Sequence, residues 1–245
     1  MNIRRLSIAL CGMLFAALPA SAQKADKSQS INGHKFVDLG LPSGLLWAET
    51  NIGAEDVAGE GIRFAWGETS MTEKEDFFDI KYYKYYSGNS SGELFTKYNK
   101  ADKKTTLDKE DDAAHVNWGA PCRMPTHNEV KELSNPKNCT WTWVSFETKR
   151  EASFSGYKVT SKKNGNSVFI LACGSPFDGC IEDYGLKGEY WTGTVFIDED
   201  GTYNYARTVS FDKEEHKNSS CPVRFNGLPV RPVVSPGDLP PANNK

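Results

Sequence analysis

The chain has 245 residues, of which 12% are aromatic and 25% charged, and 32 Asp+Glu against 29 Lys+Arg give a formal charge of −3. That balance excludes a disordered chain and a basic nucleic-acid binder. The one long apolar run, residues 6–18, is too short to cross a bilayer, which argues against an integral membrane protein.

Arg4 and Arg5 precede that run, and Ala20-Ser21-Ala22 follows it as a small-x-small cleavage site. This is the pattern of a secretory signal peptide over residues 1–22, cut after Ala22. Residues 23–30 are polar and read as a flexible tether. Residues 31–234 carry no solenoid-period repeat and no linker-like composition, so a single domain is expected there. A Pro-rich polar tail, 235–245, reads as disordered.

Within the domain, Phe36-Val37-Asp38-Leu39 and Leu45-Leu46-Trp47-Ala48 read as short strands joined by a Gly/Pro turn over 40–44. A Gly-rich connection over 51–61 leads to Phe64-Ala65-Trp66-Gly67. Residues 68–104 are polar and are expected to be mostly surface loop. They contain the block Lys81-Tyr82-Tyr83-Lys84-Tyr85-Tyr86, whose four tyrosines cannot all face inward on an extended chain.

Two helices are predicted. The first covers 108–117, with Asp111 and Asp112 as first-turn charges and Gly119 as its stop. The second, 126–134, opens on Thr126-His127-Asn128-Glu129, which fits a capping box, and ends at Asn135-Pro136. Strands follow. Residues 157–161 and 167–171 flank Asn164-Gly165, a hairpin signal because both residues tolerate positive φ. A second hairpin joins 191–196 to 203–207 through Asp198-Glu199-Asp200-Gly201, and a last strand covers 228–234.

Few residues suggest chemistry. His34, His115, His127 and His216 lack metal-ligand spacing, and His127 is placed in a first helical turn, exposed. Asp198 to Gly201 has the opening rhythm of a calcium loop without its later acidic ligands, so a solvated turn is the better reading. No Gly-x-Ser-x-Gly elbow or phosphate-cradling loop is present. Five cysteines lie beyond the signal: Cys122, Cys139, Cys173, Cys180 and Cys221. An odd number in an exported chain leaves at least one thiol without an intramolecular partner. Cys173 with Cys180 is the best local disulfide; small buried thiols are the equal alternative. The remaining signal is aromatic, since Tyr and Trp offer flat apolar area with a polar tip.

Several stretches stand out in order along the chain: Val37-Asp38-Leu39-Gly40-Leu41-Pro42-Ser43-Gly44-Leu45-Leu46-Trp47-Ala48, Phe64-Ala65-Trp66-Gly67-Glu68, Asp111-Asp112-Ala113-Ala114, Arg123-Met124-Pro125-Thr126, Gly156-Tyr157-Lys158-Val159-Thr160, Tyr190-Trp191 and Val230-Arg231-Pro232-Val233. Together they resemble the Fibrobacter succinogenes major paralogous domain, a family of exported Bacteroidetes proteins. The resemblance implies an α+β, C-type-lectin-like domain with two helices, a twisted antiparallel sheet and much irregular loop. Its relatives include formylglycine-generating enzymes and the binding proteins of diversity-generating retroelements. The cysteine pair of the enzyme branch is missing, because only Cys221 lies in the corresponding region. In the binding branch the ligand face is built late in the domain, which here corresponds to residues 191–225. Composition and expected exposure single out Trp191, Tyr203, Tyr205, Arg207 and Asn218 there.

The function expected is therefore an exported, non-catalytic, monomeric recognition module for a surface glycan or protein, located in the periplasm, at the cell surface or outside the cell. No cofactor, nucleic acid or membrane span is expected, and calcium is left open. The alternatives are an enzyme of the formylglycine-generating branch and a structural subunit of a surface assembly.

Overall fold

The computed structural model describes residues 28–71, 79–89, 94–147, 153–177, 180–217 and 220–239. The signal peptide, residues 23–27 of the tether, Asn218 and residues 240–245 of the tail lie outside these. In chain order the elements are β1 (Ser28–Ile31), β2 (His34–Asp38), β3 (Leu46–Ala48), β4 (Arg63–Phe64), α1 (Ala113–Trp118) and α2 (His127–Ser134). There follow β5 (Cys139–Glu147), β6 (Ser153–Ser161), β7 (Ser167–Leu171), β8 (Cys173–Phe177), β9 (Cys180–Tyr184) and β10 (Lys187–Phe196). The chain closes with β11 (Tyr205–Asp212), β12 (His216–Lys217), β13 (Leu228–Pro229) and β14 (Val233–Val234).

The architecture is α+β, mostly sheet with two short helices. The sheets are β1-β2-β3-β14, β12-β11-β10-β8-β9, β13-β4 and β5-β6-β7, antiparallel except where β10 meets β8. The last strand lies beside the third, with Val233 opposite Trp47, so the C-terminal end closes the sheet begun at the N-terminal end. No helix among the described residues is long and apolar enough to cross a membrane.

Alternation along the first sheet divides the core in two. Phe36, Leu46 and Val234 face a cluster containing Phe64, Trp66, Tyr83, Tyr98 and Trp191. Val37, Trp47 and Val233 face a second one with Leu133, Val159, Ile170, Tyr190 and Phe211. A sheet covered on both faces must be apolar on both, which is why Leu45-Leu46-Trp47-Ala48 and Val233-Val234 are unbroken apolar runs.

The second helix begins as expected. Thr126 accepts from the Glu129 N–H, Glu129 accepts from the Thr126 N–H, and Arg123 clamps the same carboxylate at 2.6 and 2.8 Å. The first predicted helix is shorter. A 3-10 turn occupies Lys109–Asp111, and α1 starts only at Ala113, because Asp112 is its N-cap and not a charge within its first turn. That carboxylate accepts from Ala114 N and His115 N, and reaches across to Met124 N at 2.9 Å.

Both hairpins form. Gly165 takes φ 71° in the first, and the second carries a bulge between Trp191 and Val195. Asp198 closes its turn by accepting from the Thr202 N–H and hydroxyl. The region 68–104 departs from the surface-loop expectation, since Tyr83, Tyr85, Phe95 and Tyr98 are all buried while Tyr82 is exposed. They surround Arg224, which is fully buried. Its guanidinium lies 4.5 Å from the Phe95 ring and 4.8 Å from Trp66, and it donates to the carbonyls of Lys97, Tyr98 and Tyr203. The loop folds inward because it can satisfy a buried cation with aromatic faces and carbonyl oxygens.

Candidate functional site

The β8–β9 register settles the local cysteine pair. Cys173 is opposite Tyr184 and Cys180 opposite Phe177, so the two sulfurs sit at opposite ends of the ribbon. Four residues of strand separate them by about 13 Å, beyond the roughly 7 Å between Cα atoms that a disulfide tolerates. The bridge is therefore not formed, and both thiols are free. Burial pushes the Cys122 and Cys139 thiols up to about 11 and raises Cys173 as well. None of these three is poised as a thiolate nucleophile.

The residues proposed for ligand contact fall in different places. Trp191 is 1% exposed, with its indole N–H on the Phe64 carbonyl; it is a core residue and has no surface to offer a ligand. Tyr203 is half-buried, packs on the first core cluster, and its carbonyl serves Arg224. Tyr205 and Arg207 do come together. Both are half-buried, and both rest on Phe196, with the rings of Phe196 and Tyr205 6.4 Å apart and the Arg207 guanidinium 4.7 Å from the Phe196 ring. His127, expected exposed, is only 7% accessible, because the N–H of its own backbone docks α2 onto Thr194 of β10.

The acidic residues expected as first-turn helix charges instead gather around a turn. Asp108, Glu110 and Asp111 bring carboxylate oxygens within 4.8 Å of one another. The Lys97 ammonium lies 2.7, 3.4 and 2.5 Å from them, where a metal ion would sit, and Lys84 and the Tyr98 hydroxyl complete the shell of Asp111. Burial opposes charge on Asp111, yet hydrogen bonds from Lys97, Tyr85, Tyr98 and Lys84 hold its carboxyl below the usual range. Asp111 is thus a structural anion satisfied by the chain itself.

A surface cleft was not legible in the sequence. It has a volume of about 320 Å³ and is lined by Glu49, Val57, Val144, Phe146, Lys158, Ser167, Val168 and Phe169. The β5–β6–β7 register explains it. Phe146 pairs with Phe154, and Lys158 pairs with Phe169, so all four lie on the face opposite Trp141, Trp143 and Tyr157. The rings of Phe146, Phe154 and Phe169 meet at 5.3 to 6.3 Å. Phe146 is 47% exposed.

Gly156 matters here, because a Cβ would fall 2.9 Å from the Phe169 ring and 2.2 Å from the Ile170 carbonyl oxygen. Its absence lets Phe169 lie across the sheet. Arg231, fully buried, donates from Nη1 to the carbonyls of both Glu49 and Phe169 and so ties two walls of the cleft together. The sequence signal available was one phenylalanine in each of the three strands, but face and register decide whether such residues converge.

The cleft offers flat apolar area with Lys158 and Glu49 as its titratable lining groups. No protein-family model matches this chain, no curated protein matches it, and no solved structure matches it.

Proposed function

We propose that this protein is an exported, non-catalytic recognition module of C-type-lectin-like fold, and that it binds a surface protein through the phenylalanine face of β5-β6-β7. The observation that carries the reading is Phe146, 47% exposed on a sheet face, in ring contact with the partly buried Phe154 and Phe169, which pack against the second core cluster from below. Apolar rings without polar tips, rimmed by one charge of each sign, fit the composition of a protein interface better than a sugar site. The fold assignment is supported by what the family-like motifs do. Asp112 joins the Asp-Asp-Ala-Ala stretch to Met124 of Arg-Met-Pro-Thr, and Arg231 joins the C-terminal motif to Ala48 of the first.

The test is calorimetric titration with a ligand isolated in parallel from glycan arrays and surface-protein extracts. Phe146→Ser/Phe169→Ser should weaken binding by about tenfold or more, as loss of aromatic anchors does. A glycan ligand, or affinity that survives both substitutions, overturns the assignment.

One observation favours a second reading, a subunit of a surface assembly. Strand β9 is a sheet edge, and Phe177, Tyr184 and Leu186 beside it are 65%, 50% and 62% exposed. Concentration-dependent mass in light scattering would distinguish this from a monomeric binder.

A further inference from the structure

A second cleft, about 340 Å³, lies where three turns meet and is lined by Gly40, Pro42, Lys137, Asn138, Lys162 and Lys163. The three lysines come from the α2–β5 and β6–β7 connections, and all are exposed. None of them makes an ion pair among the described residues, whereas Lys84, Lys97 and Lys104 each do. The nearby carboxylates bond backbone N–H groups and form no ion pair with these lysines. Asp38 accepts from Gly40 N and Glu132 accepts from Ser43 N.

Three ammonium groups without an ion-pair partner among the described residues, in a chain whose net charge is −3, concentrate positive charge at one cleft. One of them is pre-positioned. A Cβ on Gly40, which has φ 59°, would fall 2.9 Å from Lys163 Cδ, so the bare glycine lets the lysine stem lie flat on the turn. Asn138 is fixed as well, its side-chain N–H bonded to the Glu132 carbonyl at 2.8 Å.

We infer that this cleft is an anion site that takes a sugar carrying a sulfate or phosphate ester. Its volume accommodates one monosaccharide with its oxyanion, at the small end of ligand pockets. Three point-charge donors suit a compact multiply charged oxyanion, and the Asn138 side chain adds a polar group for a sugar hydroxyl. A long phosphate backbone fits less well, because the rest of the surface is net acidic and supplies no continuing basic stripe. The inference is independent of the phenylalanine face.

Glucose 6-sulfate and glucose 6-phosphate serve as free-sugar probes, and dextran sulfate as the polymeric one, with neutral dextran as control. Calorimetry at low ionic strength should show saturable binding of at least one charged probe, weakening as salt rises. Lys137→Gln/Lys162→Gln/Lys163→Gln should reduce that affinity by about tenfold or more, while the corresponding arginine variants retain it. Lys100→Gln/Lys103→Gln/Lys109→Gln changes the net charge equally at exposed positions elsewhere and should leave binding intact. Preference for the monomers or for dextran sulfate identifies the source of the ester. Absence of binding by every charged probe, or equal loss in both triple variants, overturns the inference. Phe146→Ser/Phe169→Ser should leave this binding unaltered, which separates its failure from that of the recognition reading.

Discussion

Trp66 and Trp191 hold each other's strands. The Trp66 indole donates to the Thr192 carbonyl and the Trp191 indole to the Phe64 carbonyl, both at 2.8 Å, so each ring is anchored on the backbone beside the other. Both rings are at most 1% exposed. The pair joins the short β4 segment to the central hairpin strand β10, two pieces of chain more than 120 residues apart.

Trp66→Phe and Trp191→Phe should each destabilise the fold by roughly 2–3 kcal/mol, from lost packing plus one unsatisfied buried carbonyl. The double variant should lose less or more than the sum, with a coupling of at least about 0.5 kcal/mol, because the two sites share one core. Chemical denaturation of the four proteins measures this.

Asp112 accepts three backbone N–H groups from two segments. Asp112→Ala removes a helix cap and leaves the Met124 N–H buried without a partner. A loss of about 2–4 kcal/mol is expected, more than the roughly 1 kcal/mol of an ordinary cap. Asp112→Asn keeps an acceptor oxygen and should lose less than the alanine variant in the same denaturation assay.

Asp111→Asn strips the shared carboxylate from Lys84 and Lys97. Both lysines keep some access to water, so the loss should be about 2 kcal/mol, below the 3–5 typical of fully buried pairs. The folded-state carboxyl titrates lower than the unfolded one. Its stabilisation is therefore complete above the ordinary carboxylate range and fades as pH falls below about 4. Wild type should show a steeper loss of thermal stability than Asp111→Asn between about pH 4 and 2.

His127 behaves oppositely to a paired histidine. Burial, then the positive charges of Arg207 and Lys131, push it down to about 4 from 6.5, and its buried Nδ1 has no hydrogen-bond partner. The folded state resists protonation, so stability is intact above about 6.5 and declines as pH drops from there towards 4, by at most roughly 3 kcal/mol. His127→Leu should flatten that decline and be nearly neutral at pH 7, since it removes an unsatisfied nitrogen. Melting temperatures across pH 4–8 test both statements.

What could be read from the chain in advance was local. The Thr126–Glu129 box, the Gly165 turn and the Asp198–Gly201 turn are hydrogen-bonding arrangements within three to five residues, and backbone geometry at that range depends on the residues themselves. That the four tyrosines of 82–86 could not all face inward was legible too, but not that Tyr83 and Tyr85 are the buried ones. Tertiary structure decided everything that depends on distant partners. Arg224 acquires its aromatic cage from residues more than 120 positions earlier, and Asp111 acquires two lysines from a loop that composition assigns to solvent. Trp191 becomes core because α+β packing covers both faces of its strand, while Phe146 reaches the surface because one face of β5-β6-β7 stays open. Burial is set by which elements meet, and residue type alone does not specify that meeting.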